Sequence, residues 1–228
     1  MIHELLLMNH KYCKRVVKGK VSLKERQEMK FFNTNIDVKS MFHVKPKQIN
    51  DNFGVSFVTG YQGSGKTYFA VYILYKYIEP NRTIYTNIKS LKIPKRNIIY
   101  FEKIDDIVDN IEMDRVFVID EISKKYTKDC KQDKLFYSWL QQSRKRRRTT
   151  LLITQEYIQI PTWLRGIARF VYTTSKIKLL PLFITYKGYA YLSEDTKEWE
   201  VMPEETYIYK RNKYICNFYD TMEPINVL

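Results

Sequence analysis

The sequence is poor in the residues that staple, interrupt or anchor a chain. Only three cysteines occur among 228 residues, Cys13, Cys130 and Cys216, widely scattered and without a CxxC pair. That spacing argues against a disulfide framework or a zinc site and fits reduced cytosolic thiols. Seven glycines and seven prolines leave no linker long enough to set off a second domain. The longest apolar stretches, such as Leu179 to Tyr186, reach about eight residues, against the roughly 18 to 20 needed to cross a bilayer, so no transmembrane helix is expected. The opening MIHELLLMNHKYCKR has too short an apolar run for a signal-peptide core and no basic region before it, so secretion is not expected. Acidic residues are also short, 25 against 39 Lys and Arg, and the resulting net charge of +14 makes a polyanion the first partner to look for.

Hydrophobic residues make up 44% and charged residues 28%, the balance of a folded globular protein with one well-buried core. Residues 1–51 form a basic N-terminal extension: positions 1–50 carry eleven Lys or Arg against four acids and no recognisable chemistry. From residue 52 the texture changes, and 52–228 is read as the catalytic domain. Val55–Thr59 is a short apolar, β-branched run that ends in a glycine-rich turn, followed by FAVYILYKYI, apolar on all sides: strand, loop, buried helix.

Thr83–Asn87 and Asn97–Phe101 read as further strands, IDDIVDNIEM as an acidic helix, and Val116–Asp120 as a fully apolar strand. Lys131–Lys145 is expected to be helical, with Leu135, Trp139 and Gln142 at helix spacing, before Thr150–Thr154 returns as a buried strand. Alternating strands and helices imply a mainly parallel sheet flanked by helices, an α/β fold. FVYTT, LLPLFITY and YAYL then make a β-rich, aromatic C-terminal tail that adds edge strands.

Gly60-Tyr61-Gln62-Gly63-Ser64-Gly65-Lys66-Thr67 satisfies GxxxxGK[ST] directly after a predicted strand and at the start of a helix, the context the P-loop, or Walker A motif, requires. Its glycines let successive backbone N–H groups turn toward phosphate oxygens, and the helix N-terminus adds partial positive charge there. Gly60, Gln62, Gly63, Ser64, Gly65, Lys66 and Thr67 are therefore expected to bind ATP, with Lys66 on the β- and γ-phosphates and the Thr67 hydroxyl on Mg²⁺. Val116–Glu121 supplies a Walker B pattern: the strand delivers Asp120 to hold Mg²⁺, and Glu121 follows it to polarise the attacking water. Gln155, after the strand ending at Thr154, is expected at the same sheet edge, where an amide orients water; the alternative is an ordinary polar strand terminator.

Arg144-Lys145-Arg146-Arg147-Arg148 is too dense a cluster to leave without a partner. Arg144 is the first candidate for an arginine finger completing a neighbouring subunit's site, the others meeting DNA phosphates; a solvated helix end is the plain alternative. Arg165, in IPTWLRGIARF, is a second finger candidate, with simple surface charge as its alternative.

Taken together, GYQGSGKT, Tyr85–Ile88 (YTNI), VFVIDE, the SRKRR-to-LLITQ unit, IPTWLR and the NFYDT near the C-terminus resemble the FtsK–HerA superfamily of P-loop ATPases. Within it, the small viral genome-packaging ATPases and the zonular-occludens-toxin-like phage proteins are most similar, over roughly residues 52–222. The resemblance implies a RecA/FtsK-like P-loop NTPase fold and a ring, usually hexameric, that hydrolyses ATP between subunits while translocating double-stranded DNA. It further implies capsid portal or vertex proteins as partners, and the host cytoplasm or virion vertex as the location. The zonular-occludens-like exporters carry a transmembrane helix after the ATPase domain, so a chain ending at Leu228 without one is expected on the packaging branch. A phage-assembly or secretion ATPase and a non-translocating P-loop NTPase are the alternatives.

Overall fold

The computed structural model describes residues 53–110, 112–176, 182–194 and 199–220. The basic extension at 1–51, and with it the expected boundary, lies outside the described residues. The elements run β1 (Gly54–Thr59), α1 (Lys66–Lys76), β2 (Ile84–Thr86), β3 (Ile98–Tyr100), α2 (Asp105–Val108), β4 (Val116–Ile119), α3 (Lys134–Gln141), β5 (Thr149–Ile153), α4 (Thr162–Arg165), β6 (Phe170–Lys176), β7 (Leu182–Leu192), β8 (Trp199–Lys210) and α5 (Lys213–Cys216).

One eight-stranded sheet has the order β3-β2-β4-β5-β1-β6-β7-β8. Its pairs from β3 to β6 are parallel, and β7 and β8 add an antiparallel hairpin. The continuous apolar runs of β1, β4 and β5 are buried at every position, as strands covered on both faces must be. Alternate residues serve opposite faces. Val58, Val116, Val118, Leu151 and Ile153 pack with Phe69, Val71 and Leu74 of α1. Val55, Phe57, Phe117, Ile119 and Leu152 pack with Phe136, Trp139 and Leu140 of α3. Burying each large side chain contributes roughly 1.5–3 kcal/mol, so these two cores fix the layers that hold the loops at the sheet edge.

Two helices are shorter than the sequence pattern suggests. α3 begins where the Asp133 side chain accepts a hydrogen bond from Phe136 N at 3.0 Å, and ends at Gln141 because the chain turns toward β5, with Arg147 in the left-handed region at φ 53°. The acidic stretch yields only α2: the Asp106 carboxylate caps the turn by accepting from Glu102 N and Lys103 N. The aromatic tail is larger than expected. LFITYKGYAYL forms one strand, β7, and it pairs with β8, bulging between Lys187 and Gly188. The Phe183 ring of β7 lies 5.0 Å from Tyr68, and the Tyr209 ring of β8 lies 6.1 Å from Tyr68 and 5.1 Å from Tyr72, so the hairpin docks on the aromatic side of α1.

Candidate active site

In parallel strands the residues that follow each strand leave at one edge. β5 lies between β1 and β4, so the segments after Thr59, Ile119 and Ile153 emerge side by side. There they line a cavity of about 500 Å³ that includes Gln62, Gly63, Gly65, Lys66, Thr67, Asp120, Glu121 and Gln155.

The glycine-rich loop is braced by the strand beside it. Ser64 Oγ and Thr174 Oγ1 share a hydrogen bond at 2.9 Å, and Gly60 N donates to Gln155 O at 3.0 Å. Gly60, at φ 144°, passes so close to β6 that a Cβ would sit 2.5 Å from Thr174 O. Gly65, at φ 93°, is the N-cap of α1, and a Cβ there would lie 2.5 Å from the Phe183 ring. Only glycine takes such backbone at such contacts without displacing a neighbour.

Lys66 Nζ donates to Gly60 O at 2.9 Å and Tyr61 O at 3.2 Å, which holds the ammonium over the loop. Burial pushes its pKa down, while the Asp120 and Glu121 carboxylates act the other way. Thr67 Oγ1 donates to Asp120 Oδ2 at 3.1 Å. Asp120 is itself 4% exposed, and burial raises its carboxyl to about 6, with the neighbouring Glu121 charge adding to the rise.

Asp120 is clamped from behind. Asn87, just past β2, accepts from Asp120 N at 2.8 Å and donates to Asp120 O at 3.0 Å, which gives the Asn of the YTNI segment a positioning task. Glu121 N donates to Asp120 Oδ1 at 2.8 Å. Glu121 has φ 56° and ψ 38°, a left-handed conformation that turns the chain sharply off the strand. Such backbone in a non-glycine residue is sparsely populated and costs about 1–3 kcal/mol.

The arginines are elsewhere. Arg144 is exposed, but it precedes β5 and therefore lies at the opposite sheet edge, its Cγ 3.2 Å from where a Cβ on Gly54 would be. The cluster it heads is divided. Arg148 is 1% exposed, donates to Glu112 O and Asn110 O, and lies 5.0 Å over the Trp139 ring; burial lowers its pKa to about 10. Arg147 pairs with Asp114 at 3.1 Å. Arg165 is 3% exposed, its Nη2 donates to Thr162 Oγ1 at 3.3 Å, and its Nε and Nη1 have no partner among the described residues. It does not line the cavity.

Other residues reach the cavity from outside the motifs. Lys124 follows Glu121, while Lys176, Phe183, Arg211, Tyr219 and Asp220 come from the β-rich tail. The NFYDT segment signalled family likeness without suggesting a site role, and nothing in the sequence pattern marked Arg211.

The sequence profile of the zonular occludens toxin (Zot) family matches residues 54–222. No curated protein sequence matches. Among solved structures, the N-terminal domain of zonular occludens toxin from Neisseria meningitidis is similar at TM-score 0.55 and 21% identity, over 74% of this chain and 99% of that one. The genome packaging NTPase B204 from Sulfolobus turreted icosahedral virus 2 matches at TM-score 0.45 and 13% identity, over 67% and 96%. The RadB recombinase matches at 0.42 and 12%, over 62% and 90%. The fold is that of a P-loop NTPase, and the extent of the profile match decides the rest: this chain belongs to the zonular occludens toxin family.

Proposed function

We propose that the chain hydrolyses ATP at this edge of the sheet and that hydrolysis drives DNA movement during virion assembly. The observation that carries the hydrolytic part is that Lys66, Thr67, Asp120, Glu121 and Gln155 line one cavity. A phosphate-binding loop needs open backbone, and around Gly63 a Cβ would meet nothing within 4 Å. The Thr67 hydroxyl and Asp120 carboxylate offer adjacent hard oxygens of the kind Mg²⁺ takes together with substrate phosphates. Bound there, Mg²⁺ offsets charge on the phosphates. Lys66 releases the loop carbonyls to bind phosphate oxygen, Glu121 orients and deprotonates water, and the Gln155 amide helps hold that water.

Double-stranded DNA is the proposed substrate, on the strength of the +14 net charge and of Lys145, exposed at the edge opposite the nucleotide. A subunit ring suits this arrangement, because an arginine distant from its own site can complete a neighbour's. The zonular occludens family match favours a second reading, a phage-assembly or secretion ATPase acting on a protein or nucleoprotein filament.

Steady-state ATPase assays with duplex DNA, single-stranded DNA and no DNA separate these readings. Stimulation by duplex of any sequence, lost steeply as salt rises, is the packaging result. Preference for single strands or a protein-coated filament points to assembly or export, and indifference to every nucleic acid ends the DNA-motor reading.

A further inference from the structure

Lys66 belongs to the glycine-rich loop, whereas Arg211 reaches the same cavity from the turn after β8. That turn is tied to the first turn of α1. Asn212 N donates to the Tyr68 hydroxyl at 2.8 Å, and Tyr68 OH reaches Lys210 O at 3.5 Å, so the residues on either side of Arg211 are bonded to a side chain two positions after Lys66. Beyond the turn, the Asn212 side chain accepts from Tyr214 N at 2.9 Å and starts α5. Arg211 Nε donates to Cys216 Sγ at 3.2 Å, its one hydrogen bond among the described residues, which orients the guanidinium and leaves its terminal nitrogens unengaged.

The electrostatics of the cavity ask for such a group. Besides Arg211 the walls carry Lys66, Lys124 and Lys176, whose charges Asp120, Glu121 and Asp220 on the same walls already match, so a triphosphate brings negative charge that these side chains do not offset. A planar guanidinium with paired N–H groups matches phosphate oxygens in a way a single ammonium does not. Phe183 packed on Gly65 keeps the β7–β8 hairpin, and the turn it leads to, seated on the phosphate-binding loop.

We propose that Arg211 is a phosphate-binding residue supplied in cis, so that the C-terminal tail forms one wall of the nucleotide site. This rests on the reading of the cavity as an ATP site and adds to it a residue that neither the Walker motifs nor the finger candidates include.

The test is fluorescence titration with a ribose-labelled ATP in the presence of Mg²⁺, with inorganic tripolyphosphate as competitor. Arg211→Ala is expected to weaken labelled ATP about tenfold to a hundredfold, the loss of one charge-assisted contact, and to weaken tripolyphosphate by the same factor. Arg211→Lys is expected to recover part of that affinity, with both variants melting close to the parent. Unchanged affinity in Arg211→Ala overturns the proposal. So does weaker labelled ATP with undiminished tripolyphosphate, which places the arginine on the base or ribose. So does a large fall in melting temperature in both variants, which makes it structural. Lys66→Ala serves as the control: if it too binds both probes normally, the ATP-site reading itself fails.

Discussion

Replacing Asp120 by Asn should stabilise the protein while disabling its proposed chemistry, and the size of the gain follows from where the carboxylate sits. Asp120 is 4% exposed, and its carboxyl is raised from the ordinary 3.8 to about 6, chiefly by burial. Above pH 6 the group is ionised in both the folded and the unfolded chain, and the folded state carries the full cost of the buried charge, about 3 kcal/mol. Below about pH 3 it is neutral in both, and the cost is gone. Asn keeps the shape, can accept from Glu121 N and can donate to Thr67 Oγ1, so its hydrogen bonds survive. Urea unfolding in EDTA should therefore show Asp120→Asn more stable at pH 7.5 by up to about 3 kcal/mol, a midpoint shift of about 1 M, shrinking through pH 6 and vanishing near pH 3. Mg·ATP should stabilise the parent and leave the variant nearly unmoved. An Asn variant less stable than the parent at pH 7.5, or a gain that does not change with pH, would refute the reasoning.

Three further outcomes are expected. Glu121→Gln should retain ATP binding while turnover falls by about two orders of magnitude or more; equal loss of binding and turnover would move the catalytic role to Asp120 or Gln155. Gly65→Ala should cost about 2 kcal/mol or more in chemical denaturation, because φ 93° is strained for alanine and the new methyl would press on Phe183; parental stability would show that the loop and hairpin move freely. Mixing Lys66→Ala with Arg144→Ala protein should restore measurable hydrolysis if Arg144 completes a neighbour's site, a contact worth about 10³ or more in rate, and silence in every mixture would remove Arg144 as a finger.

The parallel core was legible because VSFVT, VFVID and TLLIT are short, largely apolar runs rich in β-branched residues, the pattern of strands covered on both faces. The strand-loop-helix context likewise pointed to Lys66 and Thr67 at the first turn of a helix, where α1 begins. β8 was harder to see: EVMPEETYIYK mixes acids and a proline into a strand whose partner, β7, covers one edge only. Arg148 sits in a polar run and reads as surface, yet three-dimensional packing puts it over Trp139. Arg144 precedes β5, and because β5 is parallel to β1 anything before it must leave at the edge away from the phosphate loop. The contribution of Arg211 and Tyr219 depends on a hairpin folding back onto α1, an association that no local pattern encodes.

The most direct test of the account is ATP turnover by the purified chain with Mg²⁺, compared with Lys66→Ala at matched concentration. Phosphate release by the parent and none above background from Lys66→Ala, with both proteins folded, is the predicted result. Equal release by the two would mean that hydrolysis does not occur at this cavity.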